Sequence, residues 1–538
     1  MGKLGIAAFL AGASSIVAPG LLATQPGPSA SPDALRAHVE FLADDMLEGR
    51  GTGTPGFDVA ALYVAAQFRA AGLEPAIDGG WYQQVPLVER TPTTRPVAQL
   101  SAGEARFPLG EQVVANISGE GSQKWTGQAV FGGYGRVDPP AGVDELAGLD
   151  VRGKALVLFE ALPKGLSPEA ARSLPARRLE VASERGAAGL IFLPTAPSDE
   201  SEWSAIRSDF ALPYFNWLRA DGTPHTGQAL RFSAVLQPAA AASLFTGSTV
   251  RFDELQALAA RGEDLPAIAL GQQVAIEASN SWRRFASPNI IGMVHGGDPA
   301  LAGECILVTS HLDHLGKDLS TPGEDKVFNG AFDNATGVAA LIEVARVTAA
   351  SPARPMRSVV FAATTAEEVG LVGSDYLAAH PVKGCERTVA VVNLDGGVPM
   401  HPLREASAYG GWHSTIGEAF AKVAANRGIE PVSDGLAPTE FFARTDHYSF
   451  ARRSIPAIYL VIAGGDEQST AAYRDRYHQP SDDLTLPFDW YAGAQFVQLA
   501  NDLIGELADA PDSPSWYADS LFALRFAKGQ PLAARPRK

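Results

Sequence analysis

Apolar and polar positions divide the chain into stretches of different texture. From Ser287 onward the rhythm is regular. The apolar runs ECILVTSH, RSVVFAAT, RTVAVVNLD and AIYLVI alternate with stretches of helical period: TGVAALIEVARVTAA, a segment near Gly370–His380, one at about 414–427 and a closing one at about 487–507. Short apolar runs bounded by turns predict strands buried on both faces, and their alternation with helices predicts a mostly parallel mixed α/β sheet sandwiched by helices.

Upstream the pattern differs. Ser31-Pro32 has the form of a helix start, and Leu35, Val39 and Leu42 then fall on one face. A Gly-rich stretch, GRGTGTPGF, leads to a second amphipathic helix from about Asp58 to Ala71, closed by Gly72. Short strands and turns follow from about Trp81 to Ser118. Between about 125 and 270, runs such as QAVFGGYG, KALVLFE and GLIFLP alternate with Arg/Ala/Glu-rich helical stretches. This predicts a smaller, β-rich α/β domain inserted over 121–275, flanked by the two parts of a larger domain, 31–120 and 276–510. The tail, 511–538, has little periodicity and is left unassigned. The length, 538 residues, independently favours two domains over one core.

Composition narrows the function classes. At 46% apolar and 19% charged residues the chain is globular rather than disordered. A net charge of −17 without a Lys/Arg run argues against nucleic acid as a partner. Residues 1–30 place one Lys before an Ala-rich apolar stretch and then small residues, the layout of a signal peptide. Gly, Ser and Pro19 interrupt it too often for a membrane span. The expectation is an exported protein, periplasmic or extracellular, with no stable span after cleavage. Cys305 and Cys385 each precede an apolar run, and they either bridge or stay as two half-buried thiols. Two cysteines are too few for a thiolate metal site.

In a parallel α/β sheet, sites form at the carboxyl ends of the strands. The chemistry-bearing residues of this half fall there. ECILVTSH ends in Ser310-His311-Leu312-Asp313-His314, and the next loop holds Asp333 among Gly, Ala and Asn. RSVVFAAT ends in Thr365-Ala366-Glu367-Glu368, RTVAVVN in Leu394-Asp395-Gly396, and Tyr477-His478 comes before the closing helix. Histidine and carboxylate without cysteine is the ligand set of a catalytic zinc site. A pair of ions sharing one carboxylate needs about five ligands, which leaves one glutamate free as a base.

The same residues resemble the M28 zinc peptidases, in the branch with an inserted protease-associated (PA) domain. LADDMLEGRGTGTPGF (42–57) is similar to the opening segment of that branch, and FGGYG (131–135) with LAGLDVRGKALVL (146–158) to the start of its PA domain. SPNIIGMVHG, HLDH, FNGAFDNATGVA, TTAEEVGLVGS, VNLD, TDHYSF and YHQPSDD follow in the family's order. The resemblance implies two Zn2+ per chain. His311 and Asp395 would hold one ion, Glu368 and His478 the other, with Asp333 bridging. Glu367 would be the general base, and Asp313 would orient the His311 ring. The peptide bond Asp333-Asn334 would be cis.

The implied activity is hydrolysis of the terminal bond of short peptides. An aminopeptidase leads, because a free α-amine needs nearby carboxylates. A carboxypeptidase or dipeptidase is the rival, and an arginine cluster at the cleft, such as Arg172, Arg177, Arg178 and Arg185, would favour it. A glutaminyl cyclase with one zinc and a receptor without metal complete the alternatives. Asp446 and His447 border the site in the resemblance. Tyr448 and Tyr477 are hydrogen-bond donors toward substrate or oxyanion, or else packing residues.

Overall fold

The computed structural model describes residues 29–93, 99–138, 142–166, 168–225, 230–301, 303–320, 323–433, 442–527 and 529–536. The expected signal peptide therefore lies almost wholly outside the described residues. Among those residues, no helix is long and apolar enough to cross a membrane.

Four strands form the parallel centre of the larger sheet. Ser358–Thr364 pairs in parallel with Glu304–His311, that strand with Arg387–Leu394, and that in turn with Ala457–Ala463. Antiparallel strands flank them: Ala267–Val294 beside Ser358–Thr364, and Glu405–Tyr409 beside Ala457–Ala463. Successive side chains of the central strand go to opposite cores. Ile306 and Val308 join one cluster with the helices Pro32–Leu42, Thr336–Ala349 and Trp490–Asp509, whereas Cys305 and Leu307 join another with Leu377, Phe450 and Trp516. Both faces are covered, which is why these runs are apolar without alternation.

The helix starts follow their local chemistry. Ser31 Oγ accepts from the Ala34 N–H ahead of Pro32–Leu42, and Thr54 Oγ1 accepts from Phe57 N–H ahead of Pro55–Ala70. Leu35, Val39 and Leu42 are buried, as their spacing predicts.

A second apolar core draws on residues from Leu100 to Ala278. It begins upstream of the boundary expected at 121, because the strands Gln99–Ala102 and Val113–Ile117 pack into it. Local periodicity marks these as strands but does not say which core they face. Their pairing decides that: the first lies beside Ala267–Val294 and the second beside Phe232–Leu236. The strand Ala267–Val294 runs through both cores, giving Val274 and Ile276 to one and Ile290 to the other.

Two further features differ from what pattern alone suggests. The C-terminal segment is packed: Trp516 is buried, Leu521–Phe526 is helical, and isolated bridges join Trp516 to Ser414 and Tyr517 to Ala533. Its aromatic residues supply the apolar surface that its weak periodicity hides. Cys305 and Cys385 form a disulfide, Cα–Cα 5.6 Å, beside the starts of two neighbouring parallel strands.

Candidate metal centre

Four of the site residues stand where a central strand stops. His311 is the last residue of Glu304–His311, Glu367 and Glu368 follow Ser358–Thr364, and Asp395 follows Arg387–Leu394. Asp333 lies in the turn before the helix Thr336–Ala349, and the Asp333-Asn334 peptide is cis. His478 comes from the loop after the helix Glu467–Arg476.

The Asp333 turn is held from several sides. Asn334 Nδ2 donates to Ser310 Oγ (3.0 Å) and to the His311 carbonyl (3.3 Å), while its Oδ1 accepts from the N–H groups of Gly337 (3.1 Å) and Gly396 (2.8 Å). One amide thus ties together the ends of the strands that carry His311 and Asp395. Asp482 accepts from the N–H groups of Phe332 (2.8 Å) and Asp333 (3.0 Å). Gly330 has a φ of 57°, and a Cβ there would fall 2.2 Å from the Asp333 carbonyl oxygen. The buried Arg50 donates to the carbonyls of Leu312 (2.9 Å), Asn329 (2.6 Å), Gly330 (3.0 Å) and Leu42. It ties the N-terminal GRGTG stretch to both site loops.

The side chains converge around Asp333. Its Oδ1 is 3.1 Å from His311 Nε2 and its Oδ2 is 3.2 Å from His478 Nε2. On the outer flanks, Asp395 Oδ1 is 3.4 Å from His311 Nε2, and Glu368 Oε2 is 3.2 Å from His478 Nε2. Ligand atoms of His311, Glu367 and Asp395, and likewise of His311, Asp333 and Glu368, lie within 4.8 Å of one another. Both imidazoles turn Nε2 toward the carboxylates. His311 Nδ1–H donates to the Asp313 carbonyl at 3.0 Å, which aims Nε2 at Asp333 and Asp395. Neither His311 Nε2 nor His478 Nε2, both buried, makes a hydrogen bond. Unsatisfied nitrogens facing clustered carboxylate oxygens, with no thiolate, fit a zinc-type cation.

Asp313 acts differently from the expectation. Its backbone carbonyl, not its carboxylate, meets the His311 ring. The carboxylate accepts from the N–H groups of Glu367 (3.1 Å) and Glu368 (3.4 Å) and from Thr52 Oγ1 (3.0 Å). The reason is steric reach: two residues past His311 the chain has turned toward the Glu367 loop. Asp313 therefore positions the two glutamates.

Sequence reasoning missed His314. Its Nδ1–H donates to Glu368 Oε1 at 2.6 Å and so aims Oε2 at His478. The HLDH spacing held the signal, since the strand ends at His311 and His314 must lie in the site loop. Tyr459, within an apolar strand, donates its hydroxyl to the Asp395 carbonyl at 2.8 Å, and no local pattern marked it.

Burial lifts the carboxyls of Asp313 (to about 6), Glu367, Asp395 and Asp482 above their ordinary range. It would also lift Asp333 and Glu368, but the imidazoles of His311 and His478 beside the first, and of His314 and His478 beside the second, hold them below it. Burial lowers His478, yet the same two carboxylates, each 3.2 Å from its Nε2, outweigh that and raise it to about 9. Anions packed this closely call for positive charge between them.

The bordering residues divide. Asp446 is buried beside Thr364, whose Oγ1 donates to it, and His447 Nδ1 meets Thr445 Oγ1 at 2.6 Å. Neither joins the groups of convergent ligand atoms. Tyr448 packs in the apolar cluster under Arg452. Tyr477 stacks on the His478 ring, centroids 3.8 Å apart. The arginines of the inserted segment are occupied elsewhere. Arg177 pairs with Glu180 and Glu184 and Arg185 with Asp144, while Arg178 donates to the carbonyls of Tyr134, Glu160 and Ala161. The Arg172 side chain is outside the described residues.

A helix-covered, mostly parallel α/β sheet with a histidine–carboxylate centre at its strand ends defines the class. Residues 289–503 match the model described as Peptidase family M28. It is similar to Aminopeptidase NAALADL1 of Mus musculus, 28% identical over 203 residues, which span 36% of this chain and 25% of that one. It is similar also to Leupeptin-inactivating enzyme 1 of Streptomyces exfoliatus, 28% identical over 210 residues, 37% of this chain and 43% of the other. The chain thus matches less than half the length of either relative. Among solved structures, the aminopeptidase from Aneurinibacillus sp. strain AM-1 aligns over 90% of this chain and 95% of its own, with 19% identity and a TM-score of 0.48.

Proposed function

We propose that this protein is an exported zinc exopeptidase that removes residues from the amino end of short peptides, with two ions per chain. The observation that carries this reading is the placement of Asp333 between two imidazoles, each flanked by a second carboxylate. His311 and Asp395 would hold one ion, His478 and Glu368 the other, and Asp333 both. Bound zinc would supply a Lewis acid for the scissile carbonyl and lower the pKa of a water.

The remaining work falls to the chain. Glu367 is free of the ligand set and close to it, so it takes the proton of the attacking water at a carboxylate oxygen and passes it to the leaving amine. The Asp313 carboxylate, gripping the N–H of Glu367, keeps that base in place. The acidic lining suits a free α-amine. The M28 match and the aminopeptidase named among the relatives support the same reaction.

The disulfide supports export, since such bonds persist in oxidising compartments. The second core, whose segment 131–158 carries the PA-type motifs, would lie over the cleft and restrict it to short peptides. Trp217, within the range 121–275, reaches Asp375, in the helix that follows the Glu367 loop.

Metal analysis and turnover of two variants test the roles. Glu367→Gln should keep its zinc and lose on the order of 10²–10⁴-fold in kcat. Asp333→Ala should lose both zinc and turnover. Full activity in the first variant, or two tightly held ions in the second, would refute these assignments.

A further inference from the structure

The rim beside His478 holds an arginine that the proposed mechanism does not use. Arg444 is exposed, and its Nη2 donates to the Tyr477 hydroxyl at 3.3 Å. Tyr477 in turn stacks on His478, whose Nε2 faces Asp333 and Glu368. Two rings therefore separate Arg444 from the centre. Nearby arginines are taken up by acids: Arg452 and Arg453 by Asp375, Arg474 by Asp475, Arg476 by Asp483. Among the described residues, Arg444 makes no such ion pair.

The chemistry of the two groups gives this position its meaning. Among the described residues no carboxylate pairs with the Arg444 guanidinium, whose fork geometry suits a carboxylate. The phenol beside it can donate to the same group.

We propose that Arg444, with the Tyr477 hydroxyl, receives a substrate carboxylate, so that the site favours short peptides carrying one close to the cleaved bond. That carboxylate is either the free carboxyl end of a dipeptide or an acidic side chain. The inference rests on the peptidase reading above, and it names the substrate class of the same site. Arg444 is also the cleft arginine that the inserted segment does not supply.

Binding to a protein that cannot turn substrate over separates the two readings. Zinc-loaded Glu367→Gln is titrated calorimetrically with Leu-Leu and Leu-Leu amide, then with Glu-Leu amide and Gln-Leu amide. The carboxylate member of one pair should bind about tenfold more tightly than its amide. Adding Arg444→Met should remove that preference, and Arg444→Lys should restore part of it. The pair that shows the preference identifies the source of the carboxylate. Equal affinities in both pairs, or a preference that survives Arg444→Met, would overturn the proposal. Failure of the wild type to hydrolyse any peptide would instead count against the peptidase reading, and the binding comparison would still decide the role of Arg444.

Discussion

At the scale of residues, the centre depends as much on what aims the ligands as on the ligands. His314 is buried and bonded to Glu368, so its loss frees one oxygen of that carboxylate to turn away from His478. His314→Leu should weaken zinc binding about 10- to 100-fold, the usual effect of removing a partner that orients a ligand. Competition with a chelator would measure it, and an unchanged affinity would contradict the role. The convergence of His311, Glu367, Glu368 and Asp395 was legible in the sequence, because polar residues that end apolar runs gather at one edge of a parallel sheet. The roles of His314 and Asp313 were not. They depend on how the loop after His311 turns, and no periodicity encodes that. Arg444 was hidden for another reason: it is one arginine among many, and only its contact with Tyr477 distinguishes it.

At the scale of elements, the strand runs and the helices Thr336–Ala349 and Trp490–Asp509 were readable from period alone. The allocation of Gln99–Ala102 and Val113–Ile117 to the second core was not, since it rests on long-range pairing. The N-terminal helix is fixed by a buried carboxylate. Glu343 accepts from Ser31 N–H (3.2 Å) and from Arg346 (2.8 Å), and His38 Nε2 lies 3.8 Å away. Burial would raise its pKa, but these partners outweigh it and hold the carboxyl at about 2, against an ordinary 4.5. A depressed carboxyl stabilises the fold above its unfolded pKa, and that contribution is lost as the pH falls from 4.5 toward 2. The amount at stake is on the order of 3 kcal/mol. Glu343→Gln should therefore be less stable at pH 7 and show a flatter stability curve across that acid window. Chemical denaturation at a series of pH values would reveal this, and parallel curves for the two proteins would contradict it.

At the scale of the whole molecule, the two cores share one long strand, and Trp217 of the inserted range packs beside Ala366 and Val372 and reaches Asp375. There Trp217 Nε1 donates at 2.8 Å, and Arg452 and Arg453 donate at 3.1 and 2.8 Å. His225 stacks on the Trp217 ring, centroids 3.8 Å apart. This knot holds the inserted segment near the helix that follows the Glu367 loop. Trp217→Phe keeps an aromatic side chain and removes the donor, so the segment should open more easily. The rate on a long peptide relative to a dipeptide should rise. An unchanged ratio would mean that the contact does not control access.

The most direct test of the central claim is a mass-spectrometric time course on one unmodified peptide, beside amino-acetylated and carboxyl-amidated copies, with and without a chelator. Stepwise loss from the amino end, stopped by acetylation and by the chelator, is the expected result. Loss from the carboxyl end, stopped by amidation instead, would contradict the proposed direction, and cleavage that persists in the chelator would contradict the metal centre itself.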